Sequence, residues 1–119
     1  MGVIRNRLTI VHDYNLERIN KVRESAVEYF KEVVQEELSS DKYDVNTQMI
    51  SPILSSIING EYTFVIIGDC SKLRWKTSEN FEKYREEWIA QNKEIVQNIL
   101  VVDFGEGGLD AFVTEYKTY

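Results

Sequence analysis

The residues best able to do chemistry are concentrated in the stretch GDCSKLRWK, residues 68–76. It holds the only cysteine of the chain, Cys70, together with three basic residues and one of the two tryptophans. The only histidine, His12, ends the first alternating apolar segment. If the strands that end near His12 and Cys70 are parallel neighbours, their carboxyl ends meet at one edge of the sheet. A thiolate whose pKa is lowered by imidazolium is a strong nucleophile, so a catalytic Cys70–His12 pair is one hypothesis.

Simpler interpretations of both residues compete with catalysis. A lone cysteine after a buried strand commonly serves as a small apolar core residue. His12 continues an alternating face that is predicted to point inward, and that face comprises Ile4, Leu8 and Ile10. No motif of a known cysteine-enzyme family surrounds Cys70. We therefore rank an enzyme third among the functional hypotheses.

The same stretch is suited to binding an anion. Lysine and arginine side chains before a helix attract phosphate, and so do the free backbone N–H groups and the dipole at the helix N-terminus. A tryptophan can stack on a nucleotide base. The predicted ligand-binding residues are Asp69, Ser71, Lys72, Arg74, Trp75 and Lys76. The stretch lacks the glycines of a phosphate loop or a dinucleotide fingerprint, so the ligand class is a nucleotide-like or phosphorylated small molecule. Alternatively, Trp75 covers the core and the bases balance nearby acids.

The charge of the chain points to a different partner. Its 119 residues include 14 Lys and Arg against 20 Asp and Glu, for a net charge of −6. This balance disfavours nucleic acid and anionic lipid, whereas opposite charge would steer a basic protein partner towards it. The predicted contact residues are loop 72–76 and three acids of the third predicted helix, Glu82, Glu86 and Glu87. The plainer interpretation is that the net charge keeps a small domain soluble.

Metal chemistry, disulfides and membranes are not expected. One histidine and one cysteine cannot form an ordinary zinc site in a monomer, and the acids follow no calcium-loop pattern, so we expect no metal and no cofactor. A single cysteine cannot form an internal disulfide, which favours a reducing compartment. Residues 1–13 contain too short and interrupted an apolar stretch for a signal sequence or a membrane span. We expect a cytoplasmic protein.

Hydrophobic periodicity predicts the elements of the first half. Alternation predicts a strand over about residues 3–11, and helical spacing predicts a helix over 16–38 with Asn15 as its N-cap. Ser51–Gly60 has the serine, proline and glycine placement of a second short helix, with a strand as the competing interpretation. Its predicted buried face comprises Ile53, Leu54, Ile57 and Ile58.

The second half predicts a strand, a helix and a hairpin. Residues 62–67 are apolar on both faces, as in a central strand covered on each side. A third helix is predicted to begin at Thr77 or Ser78 and to unwind near Gln97 or Asn98. Its predicted apolar stripe comprises Phe81, Tyr84, Trp88, Ile95 and Ile99. Two strands flanking GEGG complete a C-terminal hairpin.

The last strand suggests a route to oligomers. Phe112 and Tyr116 share one face, while Val113, Glu115 and Lys117 share the other. If this strand is a sheet edge, it can pair with a second copy or add to a partner's sheet. The charges of Glu115 and Lys117 would otherwise protect such an edge.

The sequence thus predicts one α+β domain spanning 1–119. Its element order is β-α-α-β-α-β-β, with a mixed sheet packed with three helices, and the first and last strands are expected to be edges or half exposed. Small acidic domains without a catalytic constellation are typical of enzyme inhibitors, immunity proteins and phage counter-defence factors. A non-enzymatic protein of this kind, which occupies a surface of its partner, is the leading functional hypothesis.

Overall fold

The computed structural model describes residues 4–39, 42–68, 75–106 and 110–117. The helices are α1 (Leu16–Leu38), α2 (Val45–Gln48) and α3 (Lys76–Asn92). The strands are β1 (Arg5–Asp13), β2 (Leu54–Ser55), β3 (Tyr62–Ile66), β4 (Asn98–Gly105) and β5 (Phe112–Lys117). The predicted α+β fold with a C-terminal strand pair is confirmed.

The five strands form one sheet in the order β2-β3-β1-β4-β5, and every neighbouring pair is antiparallel. The predicted mixed sheet, with the first and central strands parallel, is wrong. The reason lies in the chain before β3, because β2 runs back along β3 and reverses through a tight turn at Asn59 and Gly60. After this hairpin, β3 begins at the end of the sheet where β1 ends. The two strands are therefore antiparallel.

This hairpin replaces the helix that was predicted over Ser51–Gly60. Leu54, Ile57 and Ile58 do not form a buried face but are 67%, 102% and 72% exposed, whereas Ile53 packs against the core. Asn59 and Gly60 both adopt positive φ, at 74° and 59°, as an Asn-Gly hairpin turn requires. The second helix lies earlier, at Val45–Gln48, where the Asp44 side chain accepts a hydrogen bond from the Asn46 N–H.

Both long helices pack on one face of the sheet. The α1 residues Ile19 and Phe30 and the α3 residue Trp88 share a buried cluster with Val11 of β1 and Phe64 of β3. Among the described residues no helix packs on the other face, so the prediction that β3 is covered on both sides is wrong. Along β3 the exposure accordingly alternates, with buried positions facing the helices.

The predicted inward face of β1 is also wrong. The buried residues are Arg5, Thr9, Val11 and Asp13, which face the helices. The alternate residues, including Leu8, Ile10 and His12, lie on the uncovered face and are half-buried. Hydropathy alternation fails here because two of the buried positions are charged and are accommodated by ion pairs. The first strand is the middle strand of the sheet, whereas β5 is an edge as expected.

The observed ends of α1 and α3 can be compared with the ends predicted from capping residues. Helix α1 spans the predicted residues, and the Asn15 side chain accepts from the Arg18 N–H at 2.8 Å. Helix α3 begins one residue after Trp75, before the predicted caps, and ends at Asn92 rather than near residue 97. Ile95 is therefore a half-exposed residue beyond the helix, and Ile99 is a buried residue of β4. No helix in the described ranges has the length and apolarity needed to cross a bilayer.

Candidate functional site

An acidic seam lies along the line where α1 packs against α3. We define it by Tyr29, Glu36, Glu37, Tyr84 and Glu87. The Tyr29 hydroxyl donates to Oε2 of Glu87 at 3.0 Å, and the Tyr84 hydroxyl lies 3.5 Å from Oε1 of Glu36. The two tyrosine rings meet edge to face, with centroids 6.4 Å apart. Three carboxylates from two helices thus surround two phenol groups.

The carboxylates of the seam raise the pKa of both its tyrosines. The negative charge of Glu36 raises the pKa of Tyr84, and partial burial, Glu37 and Glu87 act in the same direction. Burial, followed by the hydrogen bond to Glu87 and its charge, raises the pKa of Tyr29 well above the ordinary value of 10.0. Both phenols therefore stay protonated and act as hydrogen-bond donors to the carboxylates at neutral pH.

Helical periodicity explains how the seam forms. On α3, Asn80, Tyr84 and Glu87 are four and then three residues apart, which places them on one side of the helix. Asn80 Nδ2 donates to Oε2 of Glu37 at 3.1 Å and adds a third link between the helices. The sequence-based prediction identified only Glu87 here and assigned Tyr84 to the core. The polar i, i+4, i+7 spacing was the signal that could have found the rest.

The other two predicted acids lie on the opposite side of α3. Glu82 and Glu86 line a cleft of about 230 Å³ between α3 and the β4–β5 strands. Glu86 is exposed, whereas Glu82 is half-buried and forms an ion pair with Arg7 of β1. The remaining lining residues are Arg85, Ile89, Val101, Asp103, Phe112, Thr114 and Tyr116. The three predicted contact acids therefore do not form one patch.

A buried carboxylate, that of Asp103, lines this cleft. Asp103 accepts from Arg5 Nε at 2.9 Å through Oδ1 and from Arg7 Nε at 2.8 Å through Oδ2. Burial would raise the pKa of Asp103, but the hydrogen bonds and charges of Arg7 and Arg5 together lower it. Arg5 also donates through Nη1 to the carbonyl oxygens of Gly105 and Glu106. The carboxylate is fixed and ionised, which suits it to structural support rather than to proton transfer.

The structure places His12 near the carboxyl end of β1. It lies on the uncovered face of β1 opposite Thr63, the second residue of β3, with Nε2 3.7 Å from Glu61. The far end of β3 lies beside Arg7, since a Cβ at Gly68 would be 3.1 Å from the Arg7 nitrogen. The antiparallel pairing therefore removes the shared strand edge from which the Cys70–His12 hypothesis was argued. Cys70 itself lies outside the described residues.

Most of the predicted anion-binding loop also lies outside the described residues. This applies to Asp69, Ser71, Lys72 and Arg74. Trp75 is 54% exposed and occupies the N-cap position of α3, where its side chain makes no capping hydrogen bond, and Lys76 is the first helical residue. Helices α1 and α2 differ in this respect, because Asn15 and Asp44 cap them. The described ranges contain no group of three His, Cys, Asp or Glu side chains placed to hold a metal ion.

Comparison with known proteins assigns no family. The chain matches no protein-family model, no curated protein and no solved structure. Function is therefore argued from the side chains described above.

Proposed function

We propose that this protein is a non-enzymatic binding protein that occupies a basic surface of a partner protein through the acidic seam. The supporting observation is the convergence of Glu36, Glu37 and Glu87 around Tyr84. Neighbouring carboxylates repel one another, and basic side chains of a partner would relieve that repulsion. Tyrosine is enriched at protein interfaces because its ring is apolar and its hydroxyl is polar. Enzyme inhibitors, immunity proteins and phage counter-defence factors act in this way.

The three predicted acids contribute unequally in this proposal. Glu87 lies in the seam, whereas Glu86 is exposed on the opposite side of α3, where it lines the cleft. Glu82 already pairs with Arg7, so its charge is partly neutralised within the protein. We expect Glu87 to contribute most to partner affinity and Glu82 least. Arginines are the expected partner residues, because their planar donors bind carboxylates in a bidentate manner.

A charge-reversal pair tests the proposal. The partner is isolated by affinity capture and purified, and its affinity is then measured for the wild type, Glu87→Lys and Glu17→Lys. Glu17 is an exposed acid in the first turn of α1, so both variants change the net charge equally. We expect Glu87→Lys to weaken binding by about tenfold or more, Glu17→Lys to have little effect, and wild-type affinity to fall with salt. Equal effects of the two variants would reject the seam as the contact.

A small-anion site over residues 69–76 is a second proposal. The described feature that favours it is the first turn of α3, where the side chain of the N-cap residue Trp75 makes no capping hydrogen bond. Titration with inorganic phosphate and ATP should shift the backbone resonances of Trp75 and Lys76. Unchanged resonances at millimolar ligand would reject this site. A Cys70-dependent enzyme stays third, and it would require Cys70→Ser to abolish a measured turnover.

We also propose that the protein resides in the cytoplasm. The argument is its single cysteine, which cannot form an internal disulfide and persists as a thiol in a reducing compartment. Fractionation of producing cells, with thiol labelling of the recovered protein, tests this location.

A further inference from the structure

The sheet carries a continuous apolar surface on the side away from the helices. We call this surface the open face. Leu8 lies opposite Val102, Ile10 lies between Val65 and Leu100, and the row from Leu8 continues through Val102 to β5. The open face consists of Leu8, Ile10, Val65, Leu100, Val102, Phe104 and Val113, from four adjacent strands.

These side chains are not part of the core. The buried cluster and the hydrophobic residues packed against it include strand residues only from the helix-covered side. On the open face, Val113 is 57% exposed and Phe104 is 39% exposed. Antiparallel sheets that face water normally carry polar residues on their solvent side. A contiguous apolar face is instead the mark of an interaction surface.

We propose that the open face is a homodimer interface, in which two copies pack sheet against sheet. Charge distinguishes a second copy from other occupants. Among the described strand residues the charged side chains on this face are Glu115 and Lys117, which pair with each other at 3.3 Å. The described strand residues of this face therefore carry no net charge, although the whole chain carries −6. A basic partner finds no net negative charge on these strand residues, because Lys117 balances Glu115, whereas an identical neutral face meets no like-charge repulsion.

The acidic surface is separated from the proposed contact. Helices α1 and α3 carry ten glutamates against seven lysines and arginines, and both helices lie on the opposite side of the sheet. Packed sheets and layers are each about 10 Å apart, so the helix layers of two copies would be about 30 Å apart. This exceeds the screening length of about 8 Å at physiological salt. Like-charge repulsion therefore opposes a face-to-face dimer only weakly.

The area of the open face indicates how tightly two copies are expected to bind. Four strands at about 4.8 Å spacing and about seven residues at about 3.4 Å give a face of roughly 450 Å². Two copies would bury on the order of 1,000 Å², which is near the lower limit for a specific interface. We therefore expect a dimer with a dissociation constant in the micromolar range. Its formation leaves the acidic seam exposed, so the dimer and the proposed partner contact are independent.

Sedimentation equilibrium at about 10 to 200 µM tests the dimer. The open-face variants are Val102→Lys and Val113→Glu, and the matched control is Leu38→Lys, an apolar residue 42% exposed at the end of α1. We expect wild type and Leu38→Lys to dimerise, and both open-face variants to be monomers with melting temperatures close to that of wild type. Val113 is more exposed than Val102, so it retains the test if Val102→Lys fails to fold.

Three results would overturn the proposal. The first is a wild-type monomer at the highest concentration. The second is a dimer that persists in both open-face variants, which would place the contact elsewhere, as at the β5 edge. The third is monomeric wild type that binds neutral phosphatidylcholine vesicles and loses this binding in Val113→Glu, which would assign the face to lipid.

Discussion

Arg7 on β1 and Asp103 on β4 lie directly opposite each other in the sheet, and Arg7 Nε donates to Oδ2 of Asp103 at 2.8 Å. The other carboxylate oxygen accepts from Arg5, so one acid connects two residues of the middle strand. Arg5 is 7% exposed and Asp103 is 4% exposed. Charges thus occupy a sheet position where an apolar core would ordinarily continue.

We expect Asp103→Asn to lower the free energy of unfolding by about 3 kcal/mol. The substitution leaves the buried Arg5 guanidinium without its counter-charge, and breaking a buried pair from one side is more costly than losing an exposed pair. Urea denaturation measures the change. Glu17→Gln is the control, because it removes an exposed i, i+4 pair with Lys21 and should have little effect. Similar losses in the two variants would show that the buried pair has no special weight.

Stability should also fall in acid, in part through Asp13. Burial would raise the pKa of this carboxyl, but hydrogen bonds from the Arg18 side chain and the Asn15 N–H, with the Arg18 charge, lower it below 3.8. The unfolded chain therefore binds a proton at a pH where the folded protein does not. This contribution to stability is complete above the unfolded-state pKa and is lost as pH falls through the folded-state value.

Unfolding free energies measured between about pH 6 and about pH 2.5 test this prediction. We expect Asp13→Asn to have a shallower decline with falling pH than the wild type, whatever its stability at neutral pH. A decline as steep as that of the wild type would exclude Asp13 as a source of the acid sensitivity.

We expect Tyr29 to make the free energy of unfolding fall as pH rises in the alkaline range. Its pKa is raised in the folded protein, so the folded state keeps a proton that the unfolded chain releases. The stabilisation is complete below the ordinary tyrosine value of 10.0 and is lost as pH rises above it towards the folded-state value. Tyr29→Phe should flatten the alkaline part of the stability curve, and Glu87→Gln should flatten it partly. Tyrosinate absorbance with denaturation at each pH measures this, and an unchanged curve in Tyr29→Phe would contradict it.

Two glycines with positive φ should respond differently to alanine. A Cβ at Gly105, where φ is 132°, would lie 2.9 Å from the Ile4 carbonyl oxygen and 3.2 Å from Arg5 Cα. A Cβ at Gly60, where φ is 59°, would have no atom within 4 Å. We expect Gly105→Ala to cost about 3 kcal/mol, because β1 and β4 must separate, and Gly60→Ala to cost about 1 kcal/mol. Thermal or urea denaturation of both compares them, and equal costs would show that backbone contact at Gly105 is unimportant.

Local patterns predicted several elements well. The periodicity of α1 and its Asn15 cap depend on residues within a few positions of one another, and so does the β4–β5 hairpin. The Asn59–Gly60 turn was equally local, but the serine, proline and glycine of the preceding segment suggested a helix instead. This error placed the predicted second helix at the wrong residues and left β2 unpredicted. It also led to the wrong direction for β3.

Only the tertiary structure decided which face of the sheet is buried. Arg5 and Arg7 become acceptable on the helix-covered side because both donate hydrogen bonds to Asp103, which is 98 and 96 residues away in the chain. The apolar residues Leu8 and Ile10 are left on the open face as a result. By itself, the sequence determined the position of α1, the terminal hairpin and the α+β class, since these follow from neighbouring residues. Strand direction, the buried charges, the acidic seam and the open face depend on contacts between distant residues, which periodicity within a segment does not contain.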